Sequence, residues 1–383
     1  MAVDWRRMLE VTLGVPATEG NALRVLRNGD EIFPSMLEAI RASRRSVDLL
    51  TFVYWEGEIA VEFARTLAER AENGVRVRVL LDAVGARRID EQLIGDMLDR
   101  GVDVRWFRPV DGDVITDMGH RTHRKVLVCD ETVGFTGGVG IAEEWTGDAR
   151  GPQEWRDTHL RIEGPAVDGL RGAFLDNWFE VTGEVVDPEV DTCVEIEPQG
   201  ACTVQVVRGS AGAAHSAIAT LQTLTVAAAE RSIRIEAAYF TPNEYVLDAL
   251  VEALGRGVAV DIVVPGPHAD KEFMRLAGRA LFEQLLEAGA RIWVYEPTML
   301  HCKVVLVDDS VAVLGSANFD DRSAQHDDEV CAVVFDDAVV AELTEHFDAD
   351  VAASAEVDLD EWEERGVLTR VAERIVDSVS DVL

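Results

Sequence analysis

Two segments of the chain carry the same chemistry-bearing residues at the same spacing, and this repeat constrains the fold more than any other feature. HRKVLVCD begins at His123, and HCKVVLVD begins 178 residues later at His301. A lysine follows each histidine at plus two, an aspartate at plus seven, a glycine at plus fourteen and a very small residue at plus fifteen. These residues are Lys125, Asp130, Gly137 and Gly138 in the first copy, and Lys303, Asp308, Gly315 and Ser316 in the second. Such a long repeat indicates two duplicated domains, because solenoid repeats have periods of roughly 20–50 residues.

The sequence around these motifs alternates predicted strands with predicted helices. Short β-branched runs such as Val75–Leu81 and Val258–Val264 are typical of buried strands. Ala- and Leu-rich stretches with helical spacing predict helices over Ala60–Asn73, Glu244–Gly255 and Phe273–Ala288. The alternation predicts an α/β sandwich in each half.

We expect the chain to be divided into five parts. The acidic stretch 186–200 contains proline and has little periodicity, which favours a linker, and the spacing from Val367 to Val379 favours a helical tail. The parts are an N-terminal segment (1–21), a first domain (22–185), the linker (186–200), a second domain (201–351) and the tail (352–383).

The charge and the cysteines restrict the class of protein. The chain has 71 acidic and 36 basic residues and a net charge of −35. It therefore repels polyanions at long range, which argues against a protein that coats nucleic acid. No apolar run approaches the ~20 residues of a membrane helix, and the first residues lack the apolar core of a signal peptide. We expect a cytoplasmic protein with reduced thiols, since the five cysteines are odd in number and form no CxxC.

Lysine is rare in this chain, and its placement is informative. The 36 basic residues include only three lysines, Lys125, Lys271 and Lys303, and two of these stand in the repeated motif. Residues i and i+2 of a strand share a face, so each of these two lysines should lie beside its histidine. An imidazole can attack phosphorus or carry a proton, and an ammonium group neutralises phosphoryl oxygens. The doubled pair therefore favours phosphate chemistry over two packed core histidines.

The other repeated residues have less specific interpretations. Asp130 and Asp308 would face away from the histidines in regular strand, so we interpret them as turn residues that bind backbone donors, with direct chemistry as the alternative. Gly138 and Ser316 would let the backbone approach a phosphate, and Asn318 could donate to the same oxygens. An ordinary turn would explain either small pair on its own.

The doubled HxKx4D motif, followed by Gly-Gly or Gly-Ser, resembles the phospholipase D superfamily. The second copy, HCKVVLVDDSVAVLGSANFDDRSAQHDDEV, is similar to the bacterial cardiolipin synthase branch in particular, as is WRDTHLRIEGPAVDGLRGAFLDNWFE after the first copy. The resemblance covers nearly the whole chain from about residue 22. It implies two tandem α/β sandwich domains related by a pseudo-twofold axis, with one active site at their interface.

The resemblance also implies a role for each site residue. His123 would be the nucleophile that forms a phosphohistidine, and His301 would protonate the leaving alcohol and deprotonate the incoming one. Asp157 and Glu329 match carboxylates that lie beyond each motif and orient its histidine. The residues implied to bind the phosphoryl group or to complete the motif are Lys125, Lys303, Gly138, Ser316, Asn318, Asp130 and Asp308. No metal and no other cofactor is expected.

The sequence departs from the family pattern at two positions. Gly140 stands in the first copy where the family usually has asparagine, so one amide donor is lost from that half. Asp327 stands where the branch usually has asparagine in the second copy. The first departure could lower the rate or shift the substrate.

The leading functional prediction is a cardiolipin synthase-like phosphatidyltransferase that acts on phosphatidylglycerol-type lipids and contacts the inner face of the cell membrane peripherally. The alternatives are a phospholipase D hydrolase, another phosphodiesterase or a nuclease, and a phosphate binder without activity. The net charge argues against a nuclease and against a nucleic-acid partner, although arginines such as Arg121 and Arg124 favour one locally. The intact histidines and lysines argue against the binder. The sequence makes no prediction of the oligomeric state.

Overall fold

The computed structural model describes residues 3–110, 119–184, 196–211 and 216–363. Most of the expected linker and the apolar spacing expected in the tail lie outside these residues. None of the helices within these ranges is both long and apolar enough to cross a bilayer.

The first half alternates strands and helices as the sequence predicts. Its elements are α1 (Trp5–Leu13), β1 (Thr18–Arg27), α2 (Asn28–Ala42), β2 (Ser46–Thr51), α3 (Glu58–Glu72), β3 (Arg76–Asp82), α4 (Glu91–Asp99), β4 (Asp103–Phe107), β5 (Val126–Cys129), β6 (Val133–Gly137), a 3-10 turn (Glu143–Trp145), β7 (Thr158–Glu163) and α5 (Val167–Thr182).

The second half repeats this order. Its elements are β8 (Cys202–Gly209), α6 (Ala217–Ala227), β9 (Ser232–Ala237), β10 (Phe240–Thr241), α7 (Glu244–Gly255), β11 (Ala259–Pro265), α8 (Glu272–Ala280), α9 (Phe282–Glu287), β12 (Arg291–Tyr295), β13 (Lys303–Val307), β14 (Val311–Gly315), β15 (Phe319–Asp320), α10 (Asp321–Gln325), β16 (Glu329–Phe335), α11 (Asp337–Ala352), β17 (Ser354–Glu356) and α12 (Leu359–Glu363).

One continuous sheet runs through both halves. Its order is β17-β12-β11-β9-β13-β14-β16-β8-β1-β7-β6-β5-β2-β3-β4, and β1 and β8 join antiparallel at its centre. Apart from β17, equivalent strands of the two halves succeed one another in the same order from either outer edge. This is the pseudo-twofold arrangement expected of a duplicated α/β domain, and the predicted fold class is confirmed.

Helices cover both faces of this sheet. On one face a single core spans both halves, with Phe174 of α5 and Phe347 of α11 among its members. The opposite face carries two separate cores, one containing Phe63 of α3 and the other containing Leu250 of α7. The shared core fixes the two halves against each other, and the separate cores leave the join between them accessible for a site.

Tight turns join the hairpins that follow the two motifs. Asp130 and Glu131 have φ values of +50° and +62°, and Asp308 and Asp309 have +53° and +51°. Two consecutive residues with positive φ are typical of the type I′ turn, whose twist matches that of the flanking strands. The acidic pairs therefore close β5–β6 and β13–β14.

Two segments differ from the sequence prediction. Phe273–Ala288, expected as one helix, is divided at Leu281 into α8 and α9. A side-chain carbon added at Gly278 would meet the carbonyl oxygen of Phe240 at 2.6 Å, so α8 is held close to the backbone of its neighbour. Residues 354–356, expected in the helical tail, form β17 on the edge strand β12.

Candidate active site

Both histidines stand at the join between the halves, just ahead of the hairpins. The backbone N–H of His123 donates to the carbonyl of Asp328 (2.9 Å), and that of His301 donates to the carbonyl of Arg156 (2.7 Å). Each histidine is thus bound through its backbone to the other half of the chain. These two backbone contacts place both imidazoles at the interface between the halves, as a shared site requires.

The orienting carboxylates are exchanged between the halves as well. Nδ1 of His123 lies 2.9 Å from Oε1 of Glu329, and Nδ1 of His301 lies 2.8 Å from Oδ2 of Asp157. We expected each carboxylate to serve the histidine of its own half, and the geometry reverses that pairing. A carboxylate that accepts from Nδ1–H fixes the tautomer and leaves Nε2 for the substrate.

The motif lysines fold back on their own histidines. Nζ of Lys125 donates to the carbonyl of His123 (2.9 Å), and Nζ of Lys303 donates to the carbonyl of His301 (2.8 Å). Lys303 also lies 3.1 Å from Nδ1 and 3.3 Å from Nε2 of the His301 ring. Each pair therefore presents an imidazole and an ammonium group together, which is the combination that phosphoryl transfer uses.

Each carboxylate has a further donor. Nε1 of Trp145 donates to Oδ2 of Asp157 (2.9 Å), and the hydroxyl of Ser316 donates to Glu329. The sequence analysis singled out Ser316 for a phosphate and missed Trp145, which no repeated letter marks.

Aromatic rings surround His301 more closely than His123. The ring of His301 lies 5.0 Å from Trp145, 5.4 Å from Trp155 and 6.4 Å from Tyr239. In the part of the chain that the structure describes, His123 contacts one aromatic ring, that of Phe52 at 5.1 Å. The second histidine is therefore fixed by three rings, which restricts how it can turn during a reaction.

Burial and the neighbouring ammonium groups keep both imidazoles neutral. Burial, assisted by the charges of Lys125 and Lys303, lowers the pKa of His123 well below its usual value. Burial and the charge of Lys303 lower the pKa of His301 to about 4, although Asp157 opposes the shift. Burial likewise lowers the pKa of Lys125 to about 7. A phosphodiester anion would favour the protonated forms of these groups and so raise their pKa values.

The two carboxylates differ in their electrostatics. Burial raises the pKa of Glu329 despite the charge of Lys125. Burial also acts to raise the pKa of Asp157, but the hydrogen bond and charge of His301 and the charge of Lys303 lower it overall. An ionised Asp157 favours an imidazolium at His301, which suits an acid. The more weakly acidic Glu329 favours a neutral His123, which suits a nucleophile.

The structure does not bring Asp130 and Asp308 to the histidines. The carboxylate of Asp130 accepts from the backbone N–H groups of residues 44–46, and that of Asp308 accepts from those of residues 230–232. Both lie at the far end of a strand from the catalytic pair. The contacts are those of a turn residue, so these two aspartates hold the hairpins rather than a substrate.

The small residues and Asn318 are placed differently in the two copies. A side-chain carbon at Gly138 would meet Asp157 at 2.3 Å, so this position has no room for a side chain. In the second copy Ser316 fills the equivalent place and donates to Glu329. Asn318 is buried, and its amide oxygen has no hydrogen-bond partner among the described residues. This oxygen accepts hydrogen bonds, so a phosphoryl oxygen would instead need the NH2 group of the same amide, which donates.

Gly140, which replaces the family's asparagine, is also fixed by packing. A side-chain carbon there would lie 2.6 Å from Cβ of Val53 and 3.3 Å from the Trp145 ring. The space that holds Asn318 in the second copy is therefore filled in the first. The first half has exchanged an amide for tight packing around the tryptophan that bonds Asp157.

Restoring asparagine at this position is expected to destabilise the protein. Gly140→Asn should lower the free energy of unfolding by roughly 1–3 kcal/mol, as overpacking of a core does. Adding Val53→Ala should recover part of the loss, because that side chain is the nearest obstacle. Urea unfolding of the single and double variants measures both effects. A stable single variant with raised activity would contradict this explanation.

One cluster of metal-ligand type occurs among the described residues. Oxygen or sulfur atoms of Glu236, Cys302 and Asp350 lie within 4.8 Å of one another. However, Asp350 accepts from Arg156 (2.7 Å) and from Arg27 (2.8 Å), so its two oxygens already bind guanidinium groups. Burial raises the pKa of Glu236 to about 8. This donor set suits an ion-pair network that supports Arg156, the residue next to Asp157, better than a cation.

His159 makes stability depend on pH near the site. It is buried next to Lys125, and burial lowers its pKa to about 4. The unfolded chain then binds more protons between pH 6.5 and 4, so His159 contributes stability above pH 6.5 that is lost as the pH falls through that window.

We therefore expect His159→Gln to weaken the acid sensitivity of unfolding. The free energy of unfolding of the natural chain should fall relative to that of the variant by up to about 1.4 kcal/mol per pH unit between pH 6.5 and 4. Urea titrations at pH 7 and pH 5 measure the difference, and His268→Gln, at a partly exposed position, is the matched control. An equal difference at both pH values would refute the assignment.

Comparisons with known proteins agree with this geometry. The family model described as "Cardiolipin synthase, PLD-like domain" matches residues 36–147 and 223–351, which is more than half of the chain. The chain belongs to this family. Each match contains one histidine–lysine pair, so the duplication seen in the fold is the family's own arrangement. This chain is therefore a phospholipase D-type enzyme of the phosphatidyltransferase class.

Individual relatives agree with this family, and a solved structure agrees with the fold. "Cardiolipin synthase 2" of Bacillus anthracis is 34% identical over 94% of this chain and 70% of its own length. "Cardiolipin synthase" of Geobacillus kaustophilus is 34% identical over 100% of this chain and 77% of its own. The crystal structure of phosphatidylserine synthase from Haemophilus influenzae covers 99% of this chain and 98% of its own, with a TM-score of 0.75 and 14% identity. That structure supports the fold alone.

Proposed function

We propose that this enzyme transfers a phosphatidyl group between phosphatidylglycerol-type lipids through a phosphohistidine on His123. The observation that carries the proposal is the exchange of carboxylates, by which Glu329 holds His123 and Asp157 holds His301 in one site. A single histidine–carboxylate pair could attack or protonate, but the reaction needs both functions at one phosphorus.

The first step forms the covalent intermediate. Nε2 of His123 attacks phosphorus while the ester bond to the headgroup alcohol breaks. His301 gives its proton to the leaving oxygen, and glycerol departs. Lys125, Lys303 and the amide of Asn318 bind the non-bridging oxygens, where negative charge increases in the transition state.

The second step releases the intermediate. A hydroxyl of the incoming lipid gives its proton to His301 and attacks phosphorus. The phosphorus–nitrogen bond breaks, and its electron pair returns to His123. The same imidazole therefore serves as acid in the first step and as base in the second, and it regains its proton at the end of the cycle.

Binding of the substrate anion changes the protonation state of His301. Burial and the charge of Lys303 lower the pKa of His301 to about 4, so the ring is neutral at pH 7 before an anion binds. A phosphodiester opposes the charge of the two lysines and so raises this pKa toward the range an acid needs. The hydrogen bond from His301 to Asp157 favours the same protonated imidazole.

A nuclease activity is the main alternative to lipid transfer. Arg121 and Arg124, which favoured it in the sequence, are both buried. Arg121 bonds Asp82 (3.0 Å), and Arg124 donates to the backbone carbonyls of Ala173 and Gly209 (2.7 Å each). These guanidinium groups are committed to the fold and cannot neutralise a nucleic-acid backbone.

The lipid substrate implies contact with a membrane surface at the inner face of the cell membrane. With a net charge of −35 the enzyme gains nothing from long-range attraction to anionic lipid. We propose a peripheral contact through a local patch near the site.

A product assay tests the proposed function. The purified chain is incubated in mixed micelles with phosphatidylglycerol, with phosphatidylcholine in water, and with single-stranded DNA. We expect cardiolipin and free glycerol from the first. Hydrolysis of phosphatidylcholine without transfer would favour a phospholipase D, and cleavage of DNA alone would overturn the proposal.

A further inference from the structure

Lys271 is the one lysine of the chain that stands outside the repeated motif. It immediately precedes α8, and its ammonium group lies 5.0 Å from the centre of the Tyr239 ring. The neighbouring carboxylates have other partners, because Asp270 accepts from the Tyr239 hydroxyl (2.7 Å) and Glu272 pairs with Arg275. The Lys271 ammonium group thus lies against an aromatic ring, and the buried carboxylate of Asp320 is near enough for the lysine charge to affect its pKa.

A pocket that is open to solvent lies beside this lysine, between α8 and the ends of the neighbouring strands. Apolar side chains, Phe240, Val264 and Met274 among them, form its walls, and Lys271 contributes a cationic group beside Arg275, which pairs with Glu272. Apolar walls with a cation at one side suit an anionic amphiphile better than a free ion or a neutral lipid.

The start of α8 adds a second preference for an anion. No side chain caps this nine-residue helix at Lys271. Its first backbone N–H groups therefore have no capping partner, and the helix dipole favours negative charge there.

The pocket is adjacent to the reacting groups. Tyr239 lines it and also packs edge-on against His301, with ring centres 6.4 Å apart. The charge of Lys271 reaches the site as well, since it is among the causes that lower the pKa of His123. One aromatic ring therefore separates Lys271 from the imidazole that handles the incoming alcohol.

We propose that Lys271 and the pocket beside it bind the phosphate and the glycerol backbone of the acceptor phospholipid. This inference rests on the proposed function and adds a second lipid subsite to it. An acceptor that is itself a phospholipid carries a phosphate that cannot enter the phosphoryl site while the phosphohistidine occupies it. A cation a short headgroup away from His301 meets that need.

The test varies the acceptor while the donor lipid is held constant. Lys271→Gln should raise the apparent KM for phosphatidylglycerol as acceptor about tenfold, the size expected for one charge-assisted hydrogen bond. Transfer to water or to free glycerol should change much less than transfer to phosphatidylglycerol, because neither acceptor carries a phosphate. Lys271→Arg should restore most of the lipid affinity. Arg105→Gln removes one positive charge on the outer strand β4 and is the matched control.

Several results would overturn the subsite. An unchanged KM for phosphatidylglycerol would do so, and so would an equal loss with water, glycerol and lipid. Inhibition by inorganic phosphate that disappears in Lys271→Gln, without an effect on lipid, would assign the lysine to free phosphate instead.

A binding measurement separates this inference from the proposed function. If the natural chain transfers to no alcohol, the proposed function fails. Calorimetry with dihexanoyl phosphatidylglycerol then compares His123→Ala with His123→Ala/Lys271→Gln. We expect two binding sites in the first protein and one in the second, and two unchanged sites would contradict the subsite.

Discussion

His123→Ala should abolish phosphatidyl transfer and formation of the covalent intermediate, a loss of about four orders of magnitude or more. The side chain supplies the bond to phosphorus, and His301, which Asp157 holds in the same way, has the separate task of proton transfer. His301→Ala should lower kcat by about 10²–10⁴, the usual range for loss of an acid–base group. The double variant should be little worse than His123→Ala, because the two side chains act as a unit.

The leaving group separates the two losses. A nitrophenyl ester departs without a proton, so it should restore much of the first-step rate to His301→Ala and none to His123→Ala. Release of nitrophenol in a single turnover measures this step. Arg105→Gln is the control variant, because Arg105 lies on β4, away from the site, and its substitution changes the net charge without removing a site residue. Equal rescue of both variants would contradict the assignment of roles.

Glu329→Gln and Asp157→Asn should each lower activity by about 10³–10⁴, because each removes the acceptor that fixes a histidine tautomer. Because each carboxylate holds the histidine of the other half, each carboxylate variant should show the kinetic defect of that histidine. Glu329→Gln should behave like a His123 variant, with slow formation of the intermediate even from the nitrophenyl ester. Asp157→Asn should behave like a His301 variant and be rescued by that ester.

The opposite outcome is equally specific. If the nitrophenyl ester rescued Glu329→Gln rather than Asp157→Asn, each carboxylate would serve the histidine of its own half. Thermal unfolding of both variants must be compared with that of the natural chain, because Trp145 and Ser316 lose a partner when the carboxylate changes.

The strands and helices followed from local pattern to a large extent. Glu244–Gly255 was predicted to its ends, and the duplicated α/β architecture followed from the repeat. The division of α8 from α9 at Leu281 could not be predicted, because no proline or turn motif marks it in the sequence. Strand β17 likewise depends on the open edge of β12, which no local pattern in 354–356 describes.

The sequence predicted which residues form the site, but it did not predict which carboxylate contacts which histidine. His123 and Glu329 are 206 residues apart, and His301 and Asp157 are 144 apart, so neither contact has a local signal. The turn role of Asp130 and Asp308 did have one, since strand parity already turned them from the histidines. Trp145 and Tyr239 were missed because a lone aromatic in an apolar sequence is most often a core residue.

Trapping the intermediate tests the central claim most directly. Lipid labelled with ³²P at the phosphate is mixed with enzyme for a single turnover, the reaction is quenched in alkali, which preserves phosphohistidine, and the labelled peptide is mapped. The account predicts label on the peptide that contains His123, with none in His123→Ala and persistent label in a His301→Ala enzyme supplied with the nitrophenyl ester. Label on His301, or full transfer activity in His123→Ala, would contradict it.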